Sequence, residues 1–218
     1  MRAIPADVVS RPGSSVLCLG AHSDDIELGC GGTLLWLLEN NRDVRIHWVV
    51  FSSGAERSKE ALRSADAFLE RAASKTVEIL DFRERFFPFV GAPIKEFFDA
   101  LGGRLRPDII FTHRREDLHQ DHRLIADLTW QTFRDHMILE YEIPKYEGDL
   151  GHPNLFVELD RSLCDRKVKY LVDSFRSQEG KDWFTEETFM AMLRLRGVEG
   201  RARTGYAEGF QCRKLVLR

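Results

Sequence analysis

Val16-Leu17-Cys18-Leu19-Gly20-Ala21-His22-Ser23-Asp24-Asp25-Ile26-Glu27 is an apolar run that gives way, after Gly20 and Ala21, to an imidazole and three carboxylates. The four apolar residues read as a strand buried on both faces, as in a parallel sheet, and Gly20 closes it. A glycine-rich stretch (Gly29, Gly31, Gly32) then leads into a helix carried by Leu34 to Leu38, with its stop at Asn40 or Asn41. Carboxylates crowded against a sheet lose hydration, and a cation or a proton transfer is the usual compensation. This stretch therefore sets both the fold and the place to look for chemistry.

Downstream, the same alternation recurs. Arg45 to Phe51 reads as a second strand, followed by a helix from about Glu56 to Leu69 with Ala61, Leu62, Ala65, Phe68 and Leu69 on one stripe. Thr76 to Leu80 is a third strand, Phe82 to Phe89 an aromatic loop, Pro93 to about Leu105 a helix with proline at its start, and Asp108 to Phe111 a fourth strand. A βαβαβαβ order predicts a Rossmann-like, doubly wound, mostly parallel α/β sheet with helices on both faces. The pattern continues with a helix (Leu124 to Phe133), strands Met137 to Tyr141 and Leu155 to Leu159, helices Ser162 to Phe175 and Thr185 to Arg196, and a last strand from Phe210 to Leu217.

At 218 residues, the chain is long enough for one large domain, expected over residues 1–218, without internal repeats or linkers. Its net charge of -3, with signs interleaved, argues against a nucleic-acid or anionic-membrane binder. Met1 to Pro12 lacks the apolar core of a secretory leader, and no run approaches 18 apolar residues, so a soluble, cytoplasmic protein without membrane insertion is expected. The four cysteines (Cys18, Cys30, Cys164, Cys212) form no CxxC pair and read as reduced structural thiols.

In a doubly wound sheet, ligands bind beyond the carboxyl ends of the strands where strand order reverses; for the order 3-2-1-4-5 that point lies between the first and fourth strands. Both polar clusters follow those strands: His22 to Asp25, and His113-Arg114-Arg115-Glu116-Asp117-Leu118-His119-Gln120-Asp121-His122. The two are expected to face one another. A dinucleotide site is set aside, because the glycines lie beyond Asp24 and Asp25, which would repel a pyrophosphate. Histidine and carboxylate are ordinary zinc ligands, and a catalytic site uses three of them plus water. Adjacent Asp24 and Asp25 project differently, so one ligates while the other handles protons. His119 and His122 are three apart and share a face if the helix has begun.

Ala-His-Ser-Asp-Asp-x-Glu together with His-x-Asp-His resembles the paired signatures of the LmbE/PIG-L deacetylases, zinc-dependent hydrolases of N-acetylglucosamine-like amino sugars. Tyr206-Ala207-Glu208-Gly209-Phe210 is similar to a segment near the end of many members. The resemblance implies His22, Asp25 and His122 as zinc ligands, with Fe2+ or Co2+ suited to the same set. It also implies Asp24 as general base, His119 as oxyanion stabiliser, Asp121 as the orienting neighbour of His119, and a small amino-sugar, nucleotide-sugar or glycoconjugate substrate. Ser23 departs from the family, which usually has proline there; proline would stiffen the loop through its fixed φ, so the departure bears on loop rigidity and leaves the ligand set intact.

Plainer readings compete at several positions. Asp24 and Asp25 are also good helix caps, although capping leaves His22 unexplained. Glu27 reads as a first-turn carboxylate favoured by the helix dipole. His113 reads as a loop anchor, and Asp117 as a partner of His119 or the loop backbone. Arg57, on the same rim after Gly54, is a candidate for a substrate hydroxyl or phosphate, as well as a plain surface charge. Phe82, Phe86, Phe87 and Phe89 suit core packing, sugar stacking or a homo-oligomer contact, and Glu142, Tyr206 and Glu208 are candidates for the substrate side. A catalytically silent sugar binder and a metal-dependent hydrolase of another bond are the alternatives to a deacetylase.

Overall fold

The computed structural model describes residues 13–216; the leader reading of Met1 to Pro12 lies outside them. Seven strands form one sheet in the order β3-β2-β1-β4-β5-β7-β6. They are β1 (Ser15–Gly20), β2 (Arg45–Val50), β3 (Ser74–Ile79), β4 (Ile109–His113), β5 (Met137–Tyr141), β6 (Leu155–Leu159) and β7 (Tyr206–Cys212). The first five pair in parallel, with Gly20 beside Val50 and Cys18 beside both Trp48 and Phe111. β7 is antiparallel to both β5 and β6. The expected 3-2-1-4-5 order thus stands, extended by two strands.

Six helices connect them: α1 (Asp25–Asn40), α2 (Ala55–Phe68), α3 (Gly91–Arg104), α4 (Gln120–Thr132), α5 (Arg161–Ser174) and α6 (Glu186–Glu199). Alternate residues of β1 feed two cores. Val16 and Cys18 pack with α1, α5 and α6, whereas Leu17 and Leu19 pack with Ile94 and Phe98 of α3 and Ile125 of α4. Burial on both faces explains why β1 is a continuous apolar run rather than an alternating one. Among the described residues no helix is long and apolar enough to cross a membrane. All four cysteines are free.

Three elements differ from expectation by more than three residues. α4 begins at Gln120, four residues before the expected Leu124, which makes His119 its N-cap. The first helix begins at Asp25, nine residues before Leu34, so its glycines lie inside it. They are tolerated because they are contact points: a Cβ on Gly29 would stand 2.1 Å from the Tyr141 ring, and one on Gly32 would stand 2.5 Å from Leu159 Cδ1. The last strand runs from Tyr206 to Cys212 instead of Phe210 to Leu217. Its buried Glu208 accepts hydrogen bonds from the Gly32 and Thr33 N–H groups and from Lys167 Nζ, which also donates to the Leu28 carbonyl. Leu215 and Val216 are exposed past the end of the ladder, and Leu217 lies outside the described residues.

Candidate active site

β1 ends at Gly20, and the chain crosses the sheet top as Ala21-His22-Ser23-Asp24 before α1 starts. The crossing is fixed by the neighbouring strand end: Phe51 N–H donates to the Gly20 carbonyl and Ser52 N–H to that of Ala21, both at 2.9 Å. From the other side, the fully buried His113, last residue of β4, lies with Nε2 3.0 Å from Ala21 N and 3.3 Å from Tyr141 Oη. α4 starts seven residues on, with His119 as its N-cap and His122 in the first turn. Two segments about a hundred positions apart therefore meet over the switch point.

Three donor atoms converge there. His22 Nδ1 is 3.1 Å from His122 Nε2, and Asp25 Oδ2 is 3.5 Å from the first and 3.6 Å from the second. Ligands bound at 2.0–2.1 Å in a tetrahedron stand about 3.3–3.4 Å apart, so the spacing fits one small divalent ion. Each imidazole turns its other nitrogen to a carboxylate: His22 Nε2 to Asp121 Oδ2 at 3.2 Å, and His122 Nδ1 to Asp117 Oδ2 at 3.0 Å. Such partners hold ligating histidines in one tautomer and orientation. Two further groupings share these residues within 4.8 Å, His22 with His119 and His122, and Asp25 with His113 and His122. The cluster can thus hold a metal ion, and all three residues of the expected set are under a tenth exposed.

The charges agree. Burial disfavours a charged His22, yet Asp25 and Asp121 outweigh it and raise its pKa to about 10. Burial likewise opposes the Asp25 carboxylate, but His122, His113 and His22 around it hold it well below the usual range. His122 is lowered to about 3 by burial and by His113. An Asp25 carboxylate set among three imidazoles is the kind of anionic group that favours a cation beside it.

Asp24 stands apart from this set. It is the N-cap residue of α1 but its side chain makes no capping bond, so the capping reading fails. Its Oδ1 instead accepts from Arg57 Nη2 at 2.7 Å. Burial pushes the Asp24 carboxyl up, Arg57 pulling the other way. Arg57 is therefore committed first to Asp24 rather than to a free rim position, although its buried Nε has no protein partner.

Other assignments shift. The Asp121 carboxylate serves His22, not His119, and also accepts from Arg85 and Phe87 N–H. It is the Asp121 backbone N–H that meets His119 Nδ1. Glu27, in the first turn of α1, is fully buried, and burial raises its pKa well above the usual range. Glu142 is paired with Arg196 and Glu208 with Lys167, and the four side chains line one small cavity. Tyr206 lies against Arg161 at 3.2 Å. Phe87 is core, whereas Phe89 is exposed.

The family model for GlcNAc-PI de-N-acetylases, PIG-L, matches residues 17–133, more than half the chain and both polar segments. The chain belongs to the PIG-L family. Within the curated proteins it is 27% identical over 138 residues to the uncharacterized deacetylase YaiS of Escherichia coli K12, covering 59% of this chain and 74% of that one. The conserved protein TT1542 of Thermus thermophilus superimposes with a TM-score of 0.74 at 23% identity, covering 93% and 96% of the two chains. The N,N'-diacetylchitobiose deacetylase of Pyrococcus horikoshii gives 0.66 at 22%, covering 91% and 83%. GalB, the 4-carboxy-2-hydroxymuconate hydratase of Pseudomonas putida, gives 0.74 at 19%, covering 94% and 98%. These structures share the LmbE-like fold across different activities, so the PIG-L deacetylase assignment rests on the family match.

Sequence reading missed three members of this PIG-L site. Lys145 Nζ bonds Asp117 Oδ2 at 3.0 Å, Tyr141 packs its ring on Gly29 while donating to the Leu19 carbonyl, and Ser53 accepts from Ser23. None lies in a motif; only the strand order brings them near.

Proposed function

We propose that this PIG-L deacetylase is a zinc-dependent N-deacylase that removes an acetyl group from an N-acetylglucosamine-like sugar, nucleotide sugar or glycoconjugate. The supporting observation is the convergence of His22 Nδ1, Asp25 Oδ2 and His122 Nε2 within 3.1–3.6 Å of one another beside a carboxylate that does not join them. Those three residues would hold Zn2+, or Fe2+ or Co2+, which supplies acidification of a water and polarisation of the acyl oxygen. Asp24 takes the proton of the attacking water and passes it to the departing amine nitrogen, because an amide needs both a nucleophile and an acid for its leaving group.

His119 stabilises the oxyanion. Its Nδ1 accepts from the Asp121 N–H, which leaves the proton on Nε2, and burial together with His22 lowers its pKa, so the ring is a neutral donor. Arg57 keeps Asp24 aimed and offers its unpaired Nε to a substrate oxygen. Asp121 and Asp117 orient His22 and His122.

The test is amine release from a panel of N-acetylated sugars and nucleotide sugars with zinc restored. Asp24→Ala is expected to lower kcat about 10²–10⁴-fold while the protein keeps its metal. Retained activity in that variant removes the base assignment. Turnover of 4-carboxy-2-hydroxymuconate and of no amide would replace the reaction class.

A further inference from the structure

The segment after β2 touches the Asp24 loop at four points. Phe51 N–H and Ser52 N–H donate to the Gly20 and Ala21 carbonyls, Ser23 Oγ donates to Ser53 Oγ at 2.8 Å, and Arg57 Nη2 donates to Asp24 Oδ1 at 2.7 Å. The contacts keep chain order: Gly20, Ala21, Ser23 and Asp24 meet Phe51, Ser52, Ser53 and Arg57, the last of them in α2. Ser23 is fully buried, so its hydroxyl has no solvent to fall back on and depends on the partner it has. Ser53 is in turn held on its own turn, with Oγ 3.4 Å from the Gly54 carbonyl and its own carbonyl accepting from Ser58 Oγ.

We propose that Ser53 is a positioning residue: by accepting the Ser23 hydroxyl it fixes the peptide that precedes Asp24, and so aims the carboxylate that Arg57 holds from the side. The inference deepens the reading of Asp24 as base and rests on it. The two serines do not touch any of the three metal-facing donor atoms described above, so the hydroxyl pair acts on aim rather than on metal affinity. A brace of this kind does the work that a fixed backbone φ would otherwise do at position 23.

The experiment compares Ser53→Ala, Ser53→Thr and Ser23→Ala/Ser53→Ala in the zinc-loaded full chain. A misplacement of about an ångström at a reacting group costs on the order of 10²-fold. Ser53→Ala is accordingly expected to lower kcat about 10–100-fold with KM within about twofold. Ser53→Thr keeps the hydroxyl and recovers most of the rate, and adding Ser23→Ala to Ser53→Ala costs nothing further, because both remove one interaction. Zinc affinity by chelator competition stays at the wild-type value.

Amide hydrogen exchange at residues 21–25 is measured in parallel, because it reports the brace whatever reaction the wild type runs. Ser53→Ala should speed it about tenfold or more and Ser53→Thr should not. Unchanged exchange in Ser53→Ala overturns the brace. Faster exchange with an unchanged kcat overturns its positioning role. If the wild type turns over no amide, the proposed reaction fails on its own terms, and the exchange arm still decides whether the brace exists.

Discussion

Asp121 accepts from three directions at once: His22 Nε2, Arg85 N–H and Phe87 N–H. That makes it the joint between the His22 imidazole, a proposed metal ligand, and the aromatic loop after β3. Asp121→Asn keeps the size but replaces a charged acceptor with an amide, and the His22 imidazole loses the carboxylate that fixes its tautomer. Metal affinity is expected to fall about 10–100-fold, read by competition with a chromogenic chelator. Asp117→Asn should act alike through His122, since Lys145 and His122 both bond Asp117 Oδ2. Wild-type affinity in both variants would mean that neither histidine binds the ion through its other nitrogen. The resemblance to the family supplied His22, Asp25 and His122 as a ligand set, while the residues themselves showed two polar clusters after the first and fourth strands, which the sheet order brings together. The partner of Asp121 was legible in neither. Residues two apart at a helix start do not face each other, so proximity to His119 in the chain was a poor guide to where its carboxylate points.

α1 shows why some elements are legible and others are not. β5 and β6 occupy the spans their apolar runs predict, Met137–Tyr141 and Leu155–Leu159, although β5 is largely buried and the edge strand β6 mostly half-buried. The first nine residues of α1 have poor helix formers and charges, and they are helical because the sheet accepts them: Gly29 lies flat on Tyr141, and Glu208 with Lys167 plugs into the backbone at Leu28, Gly32 and Thr33. No local propensity carries that information. Gly29→Ala tests it by sign. In an ordinary helix interior Gly→Ala stabilises by about 0.5–1 kcal/mol, and Gly103→Ala in α3, where an added Cβ meets nothing within 4 Å, should do so. At Gly29 the new Cβ would need the buried Tyr141 ring to move, so a loss of about 1–3 kcal/mol is expected in urea unfolding. A gain at both positions would show that α1 does not bear on β5 as closely as 2.1 Å implies.

At the scale of the whole molecule, the site exists only because the sheet order places β1 beside β4, with His22 and His122 a hundred residues apart in the chain and 3.1 Å apart in space. The βαβ alternation made that neighbourhood predictable and put Arg57 on the same rim, while the contributions of Ser53 and of the loop carrying Lys145 depended on side chains reaching across from segments that carry no motif. An ion held as proposed between the first and fourth strand ends would bind the folded chain and not the unfolded one, so its removal should be felt by the entire fold. At a free concentration about a thousandfold above its dissociation constant, such an ion adds about 4 kcal/mol. For a chain of this length, each kcal/mol moves Tm by about 2–4 °C, so stripping the metal with a chelator should lower Tm by roughly 8–16 °C, and zinc should restore it. The same titration on Asp25→Ala/His122→Ala should show no zinc-dependent rise. A full rise in that double variant would place the stabilising ion away from the crevice between β1 and β4, and with it the chemistry assigned there.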